Sequence, residues 1–166
     1  GSNYTLVDGG RTVDFTRATI STISGITAND KIYDGNTSAA LVTTNAVFNG
    51  MFSGDDLNVA TSTGVFADSH VAQGITVSIS ALTLGGTDLG NYTLASTTAS
   101  TTANITQAAL TVTALAQTKV YDGNTTVVSS ALGTGYSVSG LITGETLDSV
   151  TLAYATKDVS RDGSGV

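Results

Sequence analysis

One seven-residue stretch occurs twice in this chain, and that repetition limits the fold more than any other feature. Lys31-Ile32-Tyr33-Asp34-Gly35-Asn36-Thr37 returns as Lys119-Val120-Tyr121-Asp122-Gly123-Asn124-Thr125 with a single conservative change. Tyr33 and Tyr121 are 88 residues apart, and Asn3-Tyr4-Thr5-Leu6 returns at the same offset as Asn91-Tyr92-Thr93-Leu94, so two separate anchors fix one period. A unit of that size is just large enough to bury a core of its own. The chain of 166 residues therefore holds two units or parts of three. With units phased from the Asn-Tyr-Thr-Leu strand, the first spans residues 1–90 and the second 91–166, the second being short of its C-terminal strands.

Within a unit the polarity pattern alternates with period two, the mark of a strand. Ile75-Thr-Val77-Ser-Ile79-Ser-Ala81 is the clearest case, ending in a turn at Gly85-Gly86-Thr87-Asp88. Leu110, Val112 and Ala114 fall on one face of another strand, and Val150-Leu152-Tyr154 reads as a third. A hairpin is expected near the start, with Tyr4 and Leu6 on one arm, Val13 and Phe15 on the other, and a turn at Asp8-Gly9-Gly10. Leu41, Phe48 and Phe52 have spacings that a helix also uses. The internal copy decides against that, because the matching stretch carries Val127, Val128, Gly133, Gly135 and Gly140, a poor helix composition. The expectation is an all-β chain of tandem sandwich-like, immunoglobulin-like units, the alternative being small β-grasp-like units with a short helix near residues 144–148.

Composition then removes whole classes of function. Six basic residues face thirteen acidic ones, for a formal charge of −7 and a pI near 4.2, and Arg11, Arg17, Lys31, Lys119, Lys157 and Arg161 are scattered. Such a chain repels polyanions, so no nucleic-acid partner is expected. No cysteine is present, which excludes disulfides and thiolate metal sites. No apolar run reaches the length of a membrane span. Catalysis finds no support either. The one histidine, His70, is matched by Asp158 in the second copy, and no nucleophile elbow, phosphate loop or zinc spacing occurs. A non-enzymatic chain without a cofactor is the expectation.

The Lys-Ile/Val-Tyr-Asp-Gly-Asn-Thr signature, the later Gly54-Asp55-Asp56 or Gly144-Glu145-Thr146 turn and the closing Leu89-Gly90-Asn91-Tyr92-Thr93-Leu94 resemble the YDG repeats of large bacterial exoproteins. Such repeats, with the related MBG type, stand in tandem in filamentous-haemagglutinin-like adhesins. The resemblance covers nearly the whole chain. It implies a secreted stalk or adhesive segment on a Gram-negative cell surface, serving cell adhesion or biofilm attachment. Its partners would be neighbouring repeats of the same chain and surface glycans or proteins. It supplies no catalytic residue. The absence of proline and the presence of Glu145-Thr146 depart from the family pattern, the latter weakening any metal reading of the second copy.

The structural motif consists of Lys31, Tyr33, Asp34, Gly35 and Asn91 in one copy and Lys119, Tyr121, Asp122 and Gly123 in the other. Glycine there supplies a positive φ, Asp and Asn bond nearby backbone N–H groups, and the Tyr ring packs inward with its hydroxyl near the surface. Two sharper readings share these residues. Lys31 and Asn91 are candidates for an amide cross-link with a carboxyl as proton shuttle. Asp34, Asp55, Asp56 and Asp88 are candidates for calcium, which needs about six converging oxygens. A carbohydrate-binding module is the rival to the stalk, and it would need an exposed aromatic platform. The order of motifs also makes residues 3–20 the closing strands of a unit and leaves the second unit without a counterpart of Ile75–Ala81. An open sheet edge there, covered by another molecule's strand in a head-to-tail contact, is expected.

Overall fold

The computed structural model describes residues 6–8 and 11–158. It divides into two compact units, Gly1–Gln107 and Ala108–Val166. Apart from one 3-10 turn at Leu89–Asn91, the regular structure of the described residues is β-strand, so the chain is all-β. Among the described residues no helix is long and apolar enough to cross a membrane.

Unit one opens with a short hairpin of β1 (Leu6–Asp8) and β2 (Arg11–Val13), paired as expected with Leu6 opposite Val13; Gly9 and Gly10 of the turn, like Tyr4, lie outside the described residues. Phe15 falls beyond the strand and is 62% exposed. Then follow β3 (Ala18–Ile20), β4 (Thr22–Ser24), β5 (Thr27–Ala28), β6 (Lys31–Ile32), β7 (Ser38–Ala39), β8 (Leu41–Val42) and β9 (Val47–Asn49). The helix-compatible spacing of Leu41, Phe48 and Phe52 thus belongs to strands and loops. Two long strands, β10 (Asn58–Phe66) and β11 (Ala72–Gly85), form the central antiparallel pair. The unit closes with β12 (Tyr92–Leu94) and β13 (Ala99–Thr106).

The five-stranded sheet runs β6-β13-β11-β10-β7, and β4 with β9 and β5 with β8 form separate antiparallel ladders. Two contacts join early and late strands in parallel. Tyr92, Thr93 and Leu94 lie beside Ala18, Thr19 and Ile20, and Ile105 and Thr106 lie beside Lys31 and Ile32. The Asn-Tyr-Thr-Leu strand, expected to open a second unit at residue 91, is therefore placed inside the first compact unit, paired with β3.

Two apolar clusters fill unit one. Ile20, Ile23, Ile26, Phe48, Ile79, Leu82 and Tyr92 make the first, and Phe66, Ile75, Val77, Ala103 and Ile105 the second. Strand β11 feeds both. Its buried positions alternate through Ile75, Val77 and Ile79 and then slip by one to Leu82. A β-bulge causes the slip: the register passes from Thr63–Ser80 to Thr61–Thr83, with Ala81 at φ 52° and its carbonyl accepting from the Thr61 hydroxyl at 2.9 Å.

Among its described residues unit two contains one ladder, β14 (Thr111–Ala114) with β15 (Tyr136–Ser139), and isolated bridges at Thr126–Ala153 and Leu132–Tyr136. The strand expected at residues 150–154 and the inward packing expected of the signature tyrosine need correction here. Val150-Leu152-Tyr154 contributes a single bridge and not a strand. Leu110 and Val112, expected on one face of a strand, are 45% and 42% exposed, and Tyr121, expected to pack inward, is 56% exposed. The cause is common, because among the described residues no long strand pair lies over this face as β10 and β11 do in unit one. No helix forms over residues 144–148.

One backbone device is shared by both units. Gly50 and Gly140 have φ of 107° and 87°, and a Cβ on either would stand 2.5 Å from Thr19 O or 2.1 Å from Ala109 O. Only glycine lets the turn after β9 or β15 lie against the opening strand.

Candidate functional site

The signature forms a clasp around a lysine. Gly35, at φ 78°, turns the chain so that Asp34 and Asn36 both face back toward Lys31. Lys31 Nζ donates to Asp34 Oδ1 at 2.7 Å, to the Asn36 carbonyl at 2.6 Å and to Asn36 Oδ1 at 3.1 Å. Asp34 Oδ1 also accepts from the Asn36 N–H, and Asn36 Oδ1 accepts from the Ser38 N–H and hydroxyl. The ammonium stands 5.6 Å above the Phe66 ring, within cation–π range. Phe66 in turn is 2% exposed and bonded through its N–H to Thr37 O.

Unit two repeats the arrangement. Lys119 Nζ donates to Asp122 Oδ1 at 2.7 Å and to Asn124 Oδ1 at 2.8 Å, and it lies 5.6 Å above the Tyr154 ring. The Tyr154 N–H bonds Thr125 O as the Phe66 N–H bonds Thr37 O. In both copies the lysine holds the neighbouring carboxyl below its ordinary range, first through the lysine hydrogen bond and then through the backbone N–H of the asparagine. Each clasp is thus a lysine–aspartate ion pair at neutral pH.

The family can now be stated. The YDG domain matches residues 16–100 and again residues 106–166. The chain belongs to the YDG family. Both YDG copies carry the clasp, at Lys31 and Lys119. No curated protein and no solved structure matches the chain.

The ring beneath each YDG clasp escaped the sequence reading. The signal was present, since Phe66 and Tyr154 are both aromatic and stand at the repeat offset of 88. Tyr33 packs partly buried against the second cluster, as expected of the signature tyrosine, and its N–H donates to Thr106 O on β13.

The expected cross-link pair is not brought together. Lys31 is engaged by Asp34 and Asn36, whereas Asn91 ends the 3-10 turn, with its N–H on Asp88 O at 2.9 Å. Among the described residues no hydrogen bond joins the two. A proton-shuttling carboxyl also needs a raised pKa, and Asp34 is shifted the other way.

The four aspartates proposed for calcium separate into two places. Asp34 stays in the clasp. Asp55, Asp56 and Asp88 meet near the turn before β12, where each carboxylate has a protein donor. Asp88 Oδ2 accepts from the Asp56 N–H at 2.9 Å, Asp56 Oδ2 from the Thr87 N–H at 3.0 Å, and Asp55 Oδ2 from the Tyr92 hydroxyl at 2.5 Å. Burial, followed by the bond to Asp55, raises the Tyr92 pKa. Among the described residues no three acidic or imidazole side chains are arranged to hold one ion. His70 is exposed and pairs with Asp68.

The two YDG copies differ beside the clasp. In unit one β13 covers the Lys31–Ile32 edge, with the second cluster beneath it. In unit two a cavity of about 280 Å³ opens there, lined by Gln117, Lys119, Tyr121, Asn124, Tyr154 and Lys157 among others. The Tyr154 hydroxyl is buried against it, without a hydrogen-bond partner among the described residues.

Proposed function

We propose that this chain is a load-bearing stalk segment of a secreted bacterial surface exoprotein, of filamentous-haemagglutinin-like type, built from tandem sandwich-like YDG units that hold an adhesive region away from the cell. The stalk serves cell attachment and biofilm formation, and its partners are the neighbouring repeats.

The observation that carries the reading is the parallel pairing of early with late strands. When the two ends of unit one are pulled apart, β3 against β12 and β6 against β13 are loaded along their length. All the ladder hydrogen bonds then share the force, whereas an antiparallel hairpin pulled from its open end gives them up one at a time. The clasp secures β6 beside that ladder. A chain with 11% charged residues, rich in threonine and serine, suits a spacer with few specific contacts.

Single-molecule stretching tests the mechanical part. Unit one should yield at a clearly higher force than its Thr93→Pro variant, which interrupts the β12–β3 ladder. Equal forces would remove the load-bearing reading. Beads coated with the chain should not attach to host cells or to a glycan array; attachment would favour an adhesive or carbohydrate-binding segment.

A further inference from the structure

We propose that Asn91 is a glycosylation acceptor, modified on its carboxamide nitrogen by an asparagine-directed transferase that uses a nucleotide-linked hexose. The inference concerns the surface chemistry of unit one and stands whether or not the unit bears load.

Five Asn-x-Ser/Thr sequons occur, at Asn3, Asn36, Asn91, Asn104 and Asn124, of which Asn3 lies outside the described residues. Three of the other four asparagines have a structural task. Asn36 Oδ1 accepts from Lys31 Nζ and from both the N–H and the hydroxyl of Ser38, and Asn124 Oδ1 accepts from Lys119 Nζ and the Thr126 N–H. Both stand at the surface, but each lends its oxygen to a clasp. Asn104 is tied at both ends of its carboxamide, Oδ1 accepting from the Gly74 N–H at 2.8 Å and Nδ2 donating to the Asp30 carboxylate at 2.9 Å.

Asn91 differs from all three. Its backbone N–H closes the 3-10 turn on Asp88 O, whereas its carboxamide makes no hydrogen bond among the described residues. The residue is nevertheless present in both copies of Asn-Tyr-Thr-Leu. A polar side chain that recurs with the repeat and holds nothing in the fold is available for chemistry with a partner.

Strand β12 presents the sequon to solvent. Tyr92 points into the first cluster at 3% exposed, with its hydroxyl fixed by Asp55 and the Phe52 N–H, so strand alternation sets Asn91 and Thr93 together on the opposite face. Thr93 is exposed and Asn91 partly so. An asparagine with a hydroxyl two residues on is the pair that such a transferase reads. An amide nitrogen is a weak nucleophile while its lone pair is shared with the carbonyl, so the carboxamide must be free to turn in the transferase. Asn91 can turn, and the clasp asparagines cannot without releasing a lysine. In the transfer itself Nδ2 forms a bond to the anomeric carbon of the hexose. The bond from that carbon to the phosphate oxygen breaks, the nucleoside diphosphate leaves with the electron pair, and one carboxamide proton passes to a base of the transferase.

Incubation of the folded full chain with a soluble asparagine glycosyltransferase and UDP-glucose, followed by peptide mapping by mass spectrometry, tests this. Asn91 should be filled at least tenfold faster than Asn36, Asn104 or Asn124. Short synthetic peptides carrying the same four sequons should react at similar rates, because only the fold separates the sites. Thr93→Val should abolish the modification at Asn91 and Thr93→Ser should keep it, each variant showing the circular dichroism of the wild type. A folded chain in which Asn91 stays bare, equal rates at the four sites, peptides that already differ as the folded sites do, or a hexose on Asn91 in the Thr93→Val chain would overturn the proposal.

Discussion

Replacing Tyr154 with phenylalanine should make unit two more stable, although the change removes a polar group and adds nothing. The Tyr154 hydroxyl is buried and has no hydrogen-bond partner among the described residues, while Phe66 fills the equivalent position in unit one. A buried polar group left unpaired costs about 1–3 kcal/mol. Tyr154→Phe recovers that desolvation and gives up no bond. The ring stays under Lys119 at the same 5.6 Å, so the cation–π contact survives. A net gain of about 1–2 kcal/mol is expected. In a unit of this size each kcal/mol moves the melting temperature by about 4–8 °C. Scanning calorimetry should therefore show the unit-two transition rising by several degrees while that of unit one stays fixed. The reciprocal Phe66→Tyr change places a hydroxyl on a ring that is 2% exposed, and it should lower the unit-one transition by a similar amount. A Tyr154→Phe chain that melts at or below the wild-type temperature would refute the reasoning, since the hydroxyl would then be holding something.

Three further outcomes follow from the geometry. Gly50→Ala, which sets a Cβ 2.5 Å from Thr19 O at φ 107°, should cost unit one about 1–3 kcal/mol in urea denaturation. Ala81→Gly, at φ 52°, should be neutral to stabilising by up to about 1 kcal/mol by the same measurement. The folded-state pKa values of Asp34 and Asp122 are lowered, so their contribution is complete above the unfolded value and is lost as pH falls through the folded one. Stability should fall below about pH 4, less steeply in a Lys31→Met, Lys119→Met double variant, whose carboxyls have lost the lysine hydrogen bond.

What the sequence disclosed followed from its two periods. Repetition at 88 located both clasps, and alternation at two located β11 and β14, because each pattern reports a local backbone preference. The parallel partners of β3 and β6 were hidden, since Tyr92 and Ile105 meet strands more than 70 residues earlier and nothing local encodes that pairing. The bulge at Ala81 was hidden for a different reason. Alanine gives no hint of φ 52°, and only the slip from Ile79 to Leu82 betrays it. Signature residues were legible, but their state was not. Tyr33 and Tyr121 are the same residue in the same motif, and one is packed while the other is 56% exposed, because packing depends on strands supplied from elsewhere in the fold. The aspartates misled through proximity in type, since Asp56 and Asp88 direct their oxygens at backbone N–H groups.

The length of β11 has a consequence for how the unit comes apart. Ile75, Val77 and Ile79 face one way, yet the strand runs far enough to leave one cluster and enter the next. It carries Ile75 and Val77 into one cluster and Ile79 into the other, and the bulge at Ala81 adds Leu82 to that second set. Neither cluster can melt while β11 remains in place, and β11 cannot leave without exposing both. Unit one should therefore unfold all-or-none, with no half-open intermediate. Along an array of such units, extension under load would advance in whole-unit steps, and hydrogen exchange at Val77 and Leu82 would report one common opening energy.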